Sequence, residues 1–359
     1  MKRIIFQSNQ LSVRGTEIAL YDYAYHNETI LGNQSIVAYQ RNHRLNDQSV
    51  IEKFSSSFEV LPYDNLSDLD HLIDKSKGNL MYAIKAGEPD GVLSLSVPTM
   101  VHAVFPQGSI SAHGSSYAFV SDWLSRVCSN SVIPAVPHMV TLPSTDDDLR
   151  KGLGIPSNAT VFGGYGGSTS FDIPFAKKVV VDIIDKRQDI YFIFMNIQSF
   201  VSHPRVIFLP SSANLEYKVQ FINTCDAMLH ARKLGESFGL ACAEFSIRNK
   251  PIFTYSKSPQ RHHIDVLGKV GLFYSGYKSL WDGLMDFDRL KAQKQNWDCY
   301  SEKFSPQRVM TLFDNHLIQV AEKTGINSVK IKLKLNDKLA CKYEDLKLKA
   351  IKLSRLWAQ

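Results

Sequence analysis

The sequence predicts an α/β protein built from two doubly wound, Rossmann-like domains. Short runs rich in β-branched and aromatic residues alternate with amphipathic stretches along the chain, which is typical of parallel β-α-β units. A length of 359 residues favours two domains over one, because a domain usually spans about 100 to 200 residues. Two such domains facing each other would leave a cleft at the carboxyl ends of both sheets, where ligands bind in open α/β sheets.

The first series of elements occupies residues 1–141. Between its first two strands, the stretch Thr16–Glu28 carries apolar residues at helical spacing and predicts a crossover helix. The predicted strands are Arg3–Gln7, Ser35–Tyr39, Phe58–Leu61, Leu80–Ile84, Thr99–Phe105, Tyr117–Val120 and Val132–Val136.

A linker at 142–158 separates this series from the second, at 157–308. The linker carries two prolines and three consecutive aspartates, and predicts a short capped helix from Asp146. In the second series, Phe175, Val179 and Ile183 repeat every four residues, as in a crossover helix. The predicted strands are Thr160–Gly163, Ile190–Met195, Val206–Leu209, Ala227–His230, Pro251–Tyr255 and Gly271–Tyr274.

Composition excludes several classes of protein. Hydrophobic residues make up 44% and charged residues 21%, which is ordinary for a globular chain and excludes general disorder. The apolar run Ile4–Phe6 is too short for a signal-peptide core, and no run of about 18 apolar residues occurs. Five scattered cysteines without a C-x-x-C pair disfavour a disulfide scaffold or a structural zinc site. We therefore expect a cytoplasmic protein.

The basic character lies in a tail at 321–359. The chain has a net charge of +6, and the tail alone holds ten Lys/Arg against four Asp/Glu, so the remainder is neutral and gives no support for nucleic-acid binding. The pattern of residues 329–357 predicts a basic amphipathic helix that contacts an anionic membrane surface. The alternatives are that the apolar stripe of this helix packs on the first domain or forms a coiled-coil dimer. Its apolar stripe would comprise Leu339, Tyr343, Leu346, Ala350, Leu353 and Trp357, with Lys330, Lys332, Lys334, Lys338, Lys342, Lys347, Lys349, Lys352 and Arg355 around it.

The most informative stretch runs from His230 to Glu244. A predicted strand ends at His230, a loop with two glycines follows, and a helix begins near Leu240, whose free N–H groups attract phosphate. Glu236 and Glu244 are eight residues apart, a rise of roughly 12 Å if helical. Paired glycosidase carboxylates lie closer, at about 5–9.5 Å. The spacing instead suits a long ligand such as a nucleotide diphosphate-sugar.

A second candidate phosphate element is the glycine-rich turn at 162–168, which follows a predicted strand. Its glycines, Gly163, Gly164, Gly166 and Gly167, would let a ligand approach the backbone closely. Thr169 stands where G-x-G-x-x-G has its last glycine, so a nicotinamide site is disfavoured. His262, His263 and Asp265 suggest a metal, but adjacent side chains rarely converge on one ion, and a loop near the cleft is the blander interpretation.

The glutamate-containing stretch resembles the E-x7-E motif of retaining glycosyltransferases with the GT-B fold, of the family 4-like group 1. The resemblance covers roughly 1–318 and includes Gly15-Thr16-Glu17 after the first strand, His102 at a strand end, and Lys250-Pro251-Ile252. It implies a donor-binding second domain and an acceptor-binding first domain completed by 306–318. It also implies retention at the anomeric carbon without a metal or cofactor, and domain closure that excludes water.

The resemblance implies a role for each site residue. Glu244 would hold the ribose, and the amides of Ser237, Phe238, Gly239 and Leu240 would hold the diphosphate. Glu236 and His102 would orient the transferred sugar. The family's turn usually carries an arginine where Gly164 stands here, so Arg232 is the favoured substitute, ahead of Lys218 and Lys233. The donor-binding set is therefore Gly15, Gly163, Gly166, Arg232, Ser237, Phe238, Gly239, Leu240 and Glu244.

Each assignment has a plainer alternative. Glu236 could cap a helix, Glu244 could lie on a solvated helix face, and His102 could be satisfied inside a buried strand. The chain could also be a non-catalytic nucleotide- or carbohydrate-binding protein, or a nucleotide-sugar epimerase of the same fold. The base, the sugar and the acceptor, a glycan or a lipid-linked molecule, stay open at this level.

Overall fold

The computed structural model describes residues 1–106, 112–329, 331 and 333–356, with side chains through residue 350. The chain divides into two compact units. Unit 1 comprises Met1–Met139 with Phe304–Gln359, and unit 2 comprises Val140–Lys303.

Unit 1 contains a six-stranded sheet in which every paired strand is parallel. Its strands are β1 (Arg3–Ser8), β2 (Gln34–Gln40), β3 (Glu59–Tyr63), β4 (Leu80–Lys85), β5 (Thr99–Ala103) and β6 (Ser116–Phe119), in the order β3-β2-β1-β4-β5-β6. Helices α1 (Gly15–Thr29), α2 (Gln48–Ser55) and α3 (Leu66–Lys75) connect the first four strands, and α4 (Asp122–Ser129) follows β6. The strand order reverses beside β1, so that β1 and β4 flank the topological switch point.

The predicted strand Val132–Val136 does not form. Ala135 makes a single bridge to Phe119, with hydrogen bonds from Phe119 N to Pro134 O and from Val136 N to Phe119 O. Pro134 has no N–H to extend this pairing into a ladder, which explains why the β-rich composition of the segment produces no strand.

Unit 2 repeats the architecture with a second six-stranded sheet of parallel pairs. Its strands are β7 (Thr160–Tyr165), β8 (Ile190–Met195), β9 (Val206–Leu209), β10 (Ala227–His230), β12 (Ile252–Tyr255) and β14 (Leu272–Tyr274), in the order β14-β12-β10-β7-β8-β9, and β11 (Gly235–Glu236) pairs with β13 (Gln260–Arg261). The helices are α5 (Pro174–Lys186), α6 (Leu215–Thr224), α7 (Leu240–Ile247), α8 (His262–Leu267), α9 (Tyr277–Met285) and α10 (Arg289–Ala292).

The helix predicted from Asp146 is wrong. The segment has no regular structure up to Asp148, and bends and turns follow from Leu149. The carbonyls of Thr145 and Asp147 accept hydrogen bonds from Asn223 Nδ2, and Leu149 N donates to Thr224 Oγ1. These bonds to α6 replace the i to i+4 bonds that a helix would need.

The chain ends in three helices of unit 1. They are α11 (Pro306–Phe313), α12 (Gln319–Thr324) and α13 (Leu335–Leu356), and a π-helical turn at Asp314–Ile318 joins the first two. Segment 306–318 is amphipathic and buries Val309, Met310, Phe313, Leu317 and Ile318. The Phe313 ring packs 5.0 Å from those of Tyr23 and Tyr82, between centroids, so this segment belongs to the core of unit 1.

Helix α13 packs against α4 through one face and exposes the other. The half-buried residues are Asp337, Ala340, Cys341, Glu344, Asp345 and Leu348. The predicted apolar stripe lies on the opposite face, where Leu339, Tyr343 and Leu346 are 57%, 67% and 56% exposed. The alternative in which this stripe packs on the first domain is therefore wrong for these residues. Six residues that were predicted to form this stripe or its basic border lie outside the described residues or side chains: Lys330, Lys332, Lys352, Leu353, Arg355 and Trp357.

Within the described part of the chain, no helix combines the length and the apolar character needed to cross a membrane.

Candidate functional site

The candidate site lies at the carboxyl ends of β7 and β10 in unit 2. A small, shallow pocket opens at this edge of the sheet. It is lined by Gly164, Tyr165, Ser170, Phe171, Ile197, Met228, Leu229, His230 and Ala231. Ligands of open α/β sheets bind at this edge, so the pocket is where the fold places a small molecule.

Two glycines shape the loop that follows β10. Gly235 has φ +77°, and a Cβ there would overlap with Gln260 O of the neighbouring strand β13. Gly239 has φ +93° and forms the N-cap of α7. Both positions lie in the left-handed region, which glycine adopts without steric cost. They direct the chain from Glu236 into the first turn of α7.

Glu236 is a partly buried carboxylate held by two donors. Its Oε2 accepts from Arg232 Nη1 at 2.7 Å, and its Oε1 lies 3.2 Å from His230 Nε2. Burial alone raises the pKa of Glu236, but the hydrogen bond to His230 and the charge of Arg232 outweigh it, so the pKa lies below its usual value. The side chain is 20% exposed. An anionic, accessible carboxylate therefore stands beside the pocket.

The capping alternative for Glu236 is wrong. The N-cap of α7 is Gly239, and no side chain caps this helix. The N–H groups of Leu240 and its neighbours in the first turn therefore have no intrahelical acceptor, which is the arrangement that attracts an anionic group. Ser237 and Leu240 are half-buried, whereas the Phe238 ring is buried and stacks on His262.

Glu244 is buried, with both carboxylate oxygens engaged. Lys218 Nζ lies 2.9 Å from Oε1, and the Tyr165 hydroxyl donates to Oε2. Burial, followed by the charge of Glu244, raises the pKa of Tyr165 well above its usual value, so the hydroxyl stays protonated as a donor. Glu244 is 4% exposed, which makes the solvated-face alternative wrong.

The glycine-rich turn packs closely against its neighbours, and its Gly164 also lines the pocket. A Cβ at Gly163 would overlap with Cys225 Sγ, one at Gly164 would lie 2.8 Å from Leu229 O, and one at Gly166 would overlap with Ser170 Oγ. These close contacts give the glycines a steric role as well, because small residues let β7 and its turn fit against neighbouring elements. That Gly163 and Gly166 hold a ligand stays a prediction. A Cβ at Gly167 would have no neighbour within 4 Å.

The three candidate replacements for the missing arginine have different surroundings. Lys218 is buried in its ion pair with Glu244, so it is committed to the fold. Arg232 is 31% exposed and sits next to Glu236. The backbone N–H of Lys233 is bound to Asp172 Oδ1 at 2.6 Å, and its side chain is half-buried. Arg232 is the cation best placed beside the first turn of α7.

The two predicted residues of unit 1 are His102 and Gly15. His102, in β5, is 0% exposed, and its Nδ1 lies 2.7 Å from the Tyr82 hydroxyl. Burial lowers the pKa of His102 to about 4. These surroundings correspond to the buried-strand alternative, and the role of His102 beside the transferred sugar stays a prediction. Gly15 is the exposed first residue of α1.

His262 and His263 lie on α8 with different partners. The His262 ring stacks on Phe238, with centroids 5.2 Å apart, and His263 Nε2 lies 3.1 Å from Thr254 Oγ1. Over the residues that the structure covers, no group of three or more histidine, cysteine or acidic side chains could hold a metal ion. The two histidines therefore belong to the packing around the site.

Sequence reasoning missed three partners of the two glutamates. Tyr165 and Lys218 hold Glu244, and His230 was recognised only as the end of a strand. These contacts join residues 6 to 79 positions apart in the chain. The only available signal was the position of His230 and Tyr165 at the ends of parallel strands, where ligand-binding side chains collect.

Comparisons with known proteins reveal similarity of structure. No family model matches the chain, and no curated protein matches its sequence. A glycosyltransferase from Rickettsia africae superposes with a TM-score of 0.59 at 11% identity, over 90% of this chain and 96% of that chain. Anabaena HepE, in complex with UDP-glucose, superposes with a TM-score of 0.58 at 14% identity, over 90% of this chain and 98% of that chain.

A putative UDP-N-acetylglucosamine 2-epimerase from Listeria monocytogenes gives a TM-score of 0.53 at 11% identity, over 88% of this chain and 97% of that chain. At these identities the likeness is one of fold. The predicted fold class is confirmed: the chain has the two-sheet α/β architecture of GT-B proteins.

Proposed function

We propose that this protein is a glycosyltransferase that takes a sugar from a nucleotide diphosphate-sugar. The observation that carries the proposal is the anionic Glu236, held by Arg232 and His230 beside the pocket and the first turn of α7. A carboxylate suits sugar hydroxyls, and a cation with free N–H groups suits a diphosphate. Solved neighbours of the same fold support a uridine nucleotide, since one of them is in complex with UDP-glucose.

In this proposal the donor lies along the carboxyl edge of the sheet in unit 2. The amides from Ser237 to Leu240, with Arg232, hold the diphosphate and stabilise the charge that develops on the leaving group. Glu236 accepts hydrogen bonds from the transferred sugar. Glu244 acts through Tyr165, which it anchors in the wall of the pocket. Direct contact with the ribose would require Glu244 to give up one of its two buried partners.

We propose transfer with retention of anomeric configuration and without a metal. The family resemblance of the E-x7-E stretch supports retention. A front-side route, in which the leaving phosphate takes the proton of the acceptor hydroxyl, needs no separate base. Glu236 suits this route because both of its oxygens are already hydrogen-bonded, which favours an orienting role over nucleophilic attack.

We further propose a glycan or lipid-linked acceptor, reached from the cytoplasm at an anionic membrane surface. The exposed apolar stripe of α13 is bordered by the exposed lysines Lys338 and Lys342, and by Lys349, whose Nζ is paired with Asp345 Oδ2 at 2.7 Å. Asp337 and Glu344 lie instead on the half-buried face towards α4. The exposed face is thus both apolar and cationic, which suits the interface of an anionic bilayer.

A second candidate is a nucleotide-sugar epimerase. The observation that favours it is the Listeria neighbour, which has the same fold and a similar TM-score. A non-catalytic binding protein is the third, because Gly164 stands where a diphosphate-binding arginine is expected.

Incubation with a panel of UDP- and GDP-sugars, followed by chromatography, tests the proposal. Wild-type protein should release nucleoside diphosphate slowly by hydrolysis, and Glu236→Gln should lower this rate at least about 100-fold, close to 2.7 kcal/mol of transition-state stabilisation. Lys233→Ala serves as a matched control in the same loop. Interconversion of two donors would indicate an epimerase. Saturable binding without turnover, or normal turnover by Glu236→Gln, would overturn the proposal.

A further inference from the structure

A chain of three hydrogen bonds, two of them buried and the last partly buried, ends at the Glu236 carboxylate. His263 Nε2 lies 3.1 Å from Thr254 Oγ1, Thr254 Oγ1 lies 2.8 Å from His230 Nδ1, and His230 Nε2 lies 3.2 Å from Glu236 Oε1. Thr254 and His263 are 0% exposed, and His230 is 6% exposed. The chain passes from α8 through β12 and β10, which are neighbours in the sheet, to the loop before α7.

The direction of each bond follows from counting protons. Burial lowers the pKa of His263 well below its usual value, so the ring is neutral and carries one N–H. Within the described residues, His263 Nδ1 has no hydrogen-bond partner. A buried N–H without an acceptor costs more than an unfilled lone pair, because the donor loses its only bond to water. The proton of His263 therefore belongs on Nε2, where it donates to Thr254 Oγ1.

This assignment determines the rest of the chain. The Thr254 oxygen can accept twice, but its single O–H also needs an acceptor. Of the two imidazole nitrogens within hydrogen-bond distance, His263 Nε2 donates, so the O–H donates to His230 Nδ1. His230 then accepts at Nδ1 and carries its proton on Nε2. That proton points at Glu236 Oε1, which as a carboxylate only accepts. All three bonds run in one direction, so each polarises the next.

We propose that His263 and Thr254 fix the tautomer of His230 that donates to Glu236, which makes these three side chains positioning residues for the sugar-binding carboxylate. Glu236 has one other partner, Arg232, which is 31% exposed and close to where the diphosphate would lie. When a phosphate group draws Arg232 away, the His230 bond keeps Glu236 anionic and oriented. The catalytic consequence rests on the proposed function; the tautomer does not.

The test compares wild type with Thr254→Val and Thr254→Ser. Valine has nearly the shape of threonine but neither donates nor accepts, whereas serine keeps the hydroxyl. Nitrogen-15 NMR of the histidine side chains reports the tautomer of His230 directly. We expect the Nε2–H tautomer in wild type and in Thr254→Ser, and a mixture of tautomers in Thr254→Val. An Nδ1–H tautomer in wild type would overturn the proposal without any variant.

Kinetics with a donor that the wild type uses test the positioning role. Thr254→Val should lower kcat about 5- to 10-fold with KM within about twofold, and Thr254→Ser should restore it. A changed tautomer with unchanged kcat would refute the positioning role. If the NMR result is as expected but no form turns over any donor, the hydrogen-bond chain stands and the proposed transferase function fails.

Discussion

The buried ion pair of Lys218 and Glu244 leads to a sharp prediction about stability. The two side chains are 6% and 5% exposed, and their charged atoms are 2.9 Å apart. Lys218→Met removes the cation and leaves the Glu244 carboxylate buried with Tyr165 as its remaining partner. Breaking one side of a buried pair costs about 3–5 kcal/mol, because the other charge stays desolvated and uncompensated. We expect a loss of this size.

The loss should be visible as a shift in melting temperature. For a domain of about 150–250 residues, each kcal/mol lowers Tm by about 2–4 °C, so Lys218→Met should lower the transition of unit 2 by at least about 6 °C. Calorimetry measures the shift, and hydrogen exchange of segment 215–247 assigns the transition to this unit. Removing both charges, as Lys218→Met with Glu244→Leu, should restore most of the stability, because no charge then stays buried alone.

The exposed pair of Lys178 and Asp182 provides a matched control. Its charged atoms are 2.6 Å apart, but Lys178 is 66% exposed, so Lys178→Met should change the free energy of unfolding by about 0.5 kcal/mol or less. A Tm for Lys218→Met within about 1 °C of wild type would refute the reasoning. Calorimetric titration of folded Glu244→Gln and Tyr165→Phe with UDP then tests the ribose contact. A loss of about 1.5–3 kcal/mol in Glu244→Gln alone would show that Glu244 binds the nucleotide directly, an equal loss in both would show that it acts through Tyr165, and unchanged affinity in both would contradict either role.

Three further predictions concern the diphosphate, an acid-sensitive histidine and the tail. Arg232→Ala should weaken UDP binding at least about 10-fold by calorimetry, whereas Lys233→Ala should change it less than about threefold; equal effects would contradict the assignment of Arg232. The depressed pKa of His102, about 4, means that the unfolded chain binds the extra proton first as pH falls from about 6.5 to 4. The contribution of His102 to the free energy of unfolding is therefore complete above about pH 6.5, and about 3 kcal/mol of stability is lost as the pH falls towards 4. Urea unfolding of His102→Asn should show a flatter dependence of this free energy on pH, and an unchanged dependence would refute the prediction. Full-length protein should co-sediment with anionic vesicles at low salt, while Tyr343→Asp should bind less and a chain ending at Val320 should not bind; absence of binding by every form would exclude membrane contact.

The fold could be predicted from the sequence because apolar periodicity is a local property. Strands Ile190–Met195, Val206–Leu209 and Ala227–His230 have the predicted bounds, since each is a short apolar run between polar turns. The two errors have different causes, one local and one tertiary. Pro134 prevents a ladder at 132–136, and the carbonyls of the linker near Asp146 bond to α6 in place of a helix turn.

The sequence by itself determined the two-series α/β organisation, the loop from His230 to Glu244 and the amphipathic character of α13, because all three depend on residue order within one element or its neighbours. Only the tertiary structure decided which side chains the site residues contact. His230 meets Thr254 because β10 and β12 are adjacent in the sheet, and Glu244 meets Lys218 because α7 lies near α6. The same holds for α13: its pattern predicts a stripe, but packing against α4 through Ala340 and Leu348 decides that this stripe faces outwards. Spacing along a chain limits which residues share a face, whereas burial and partner choice depend on what another element presents to that face.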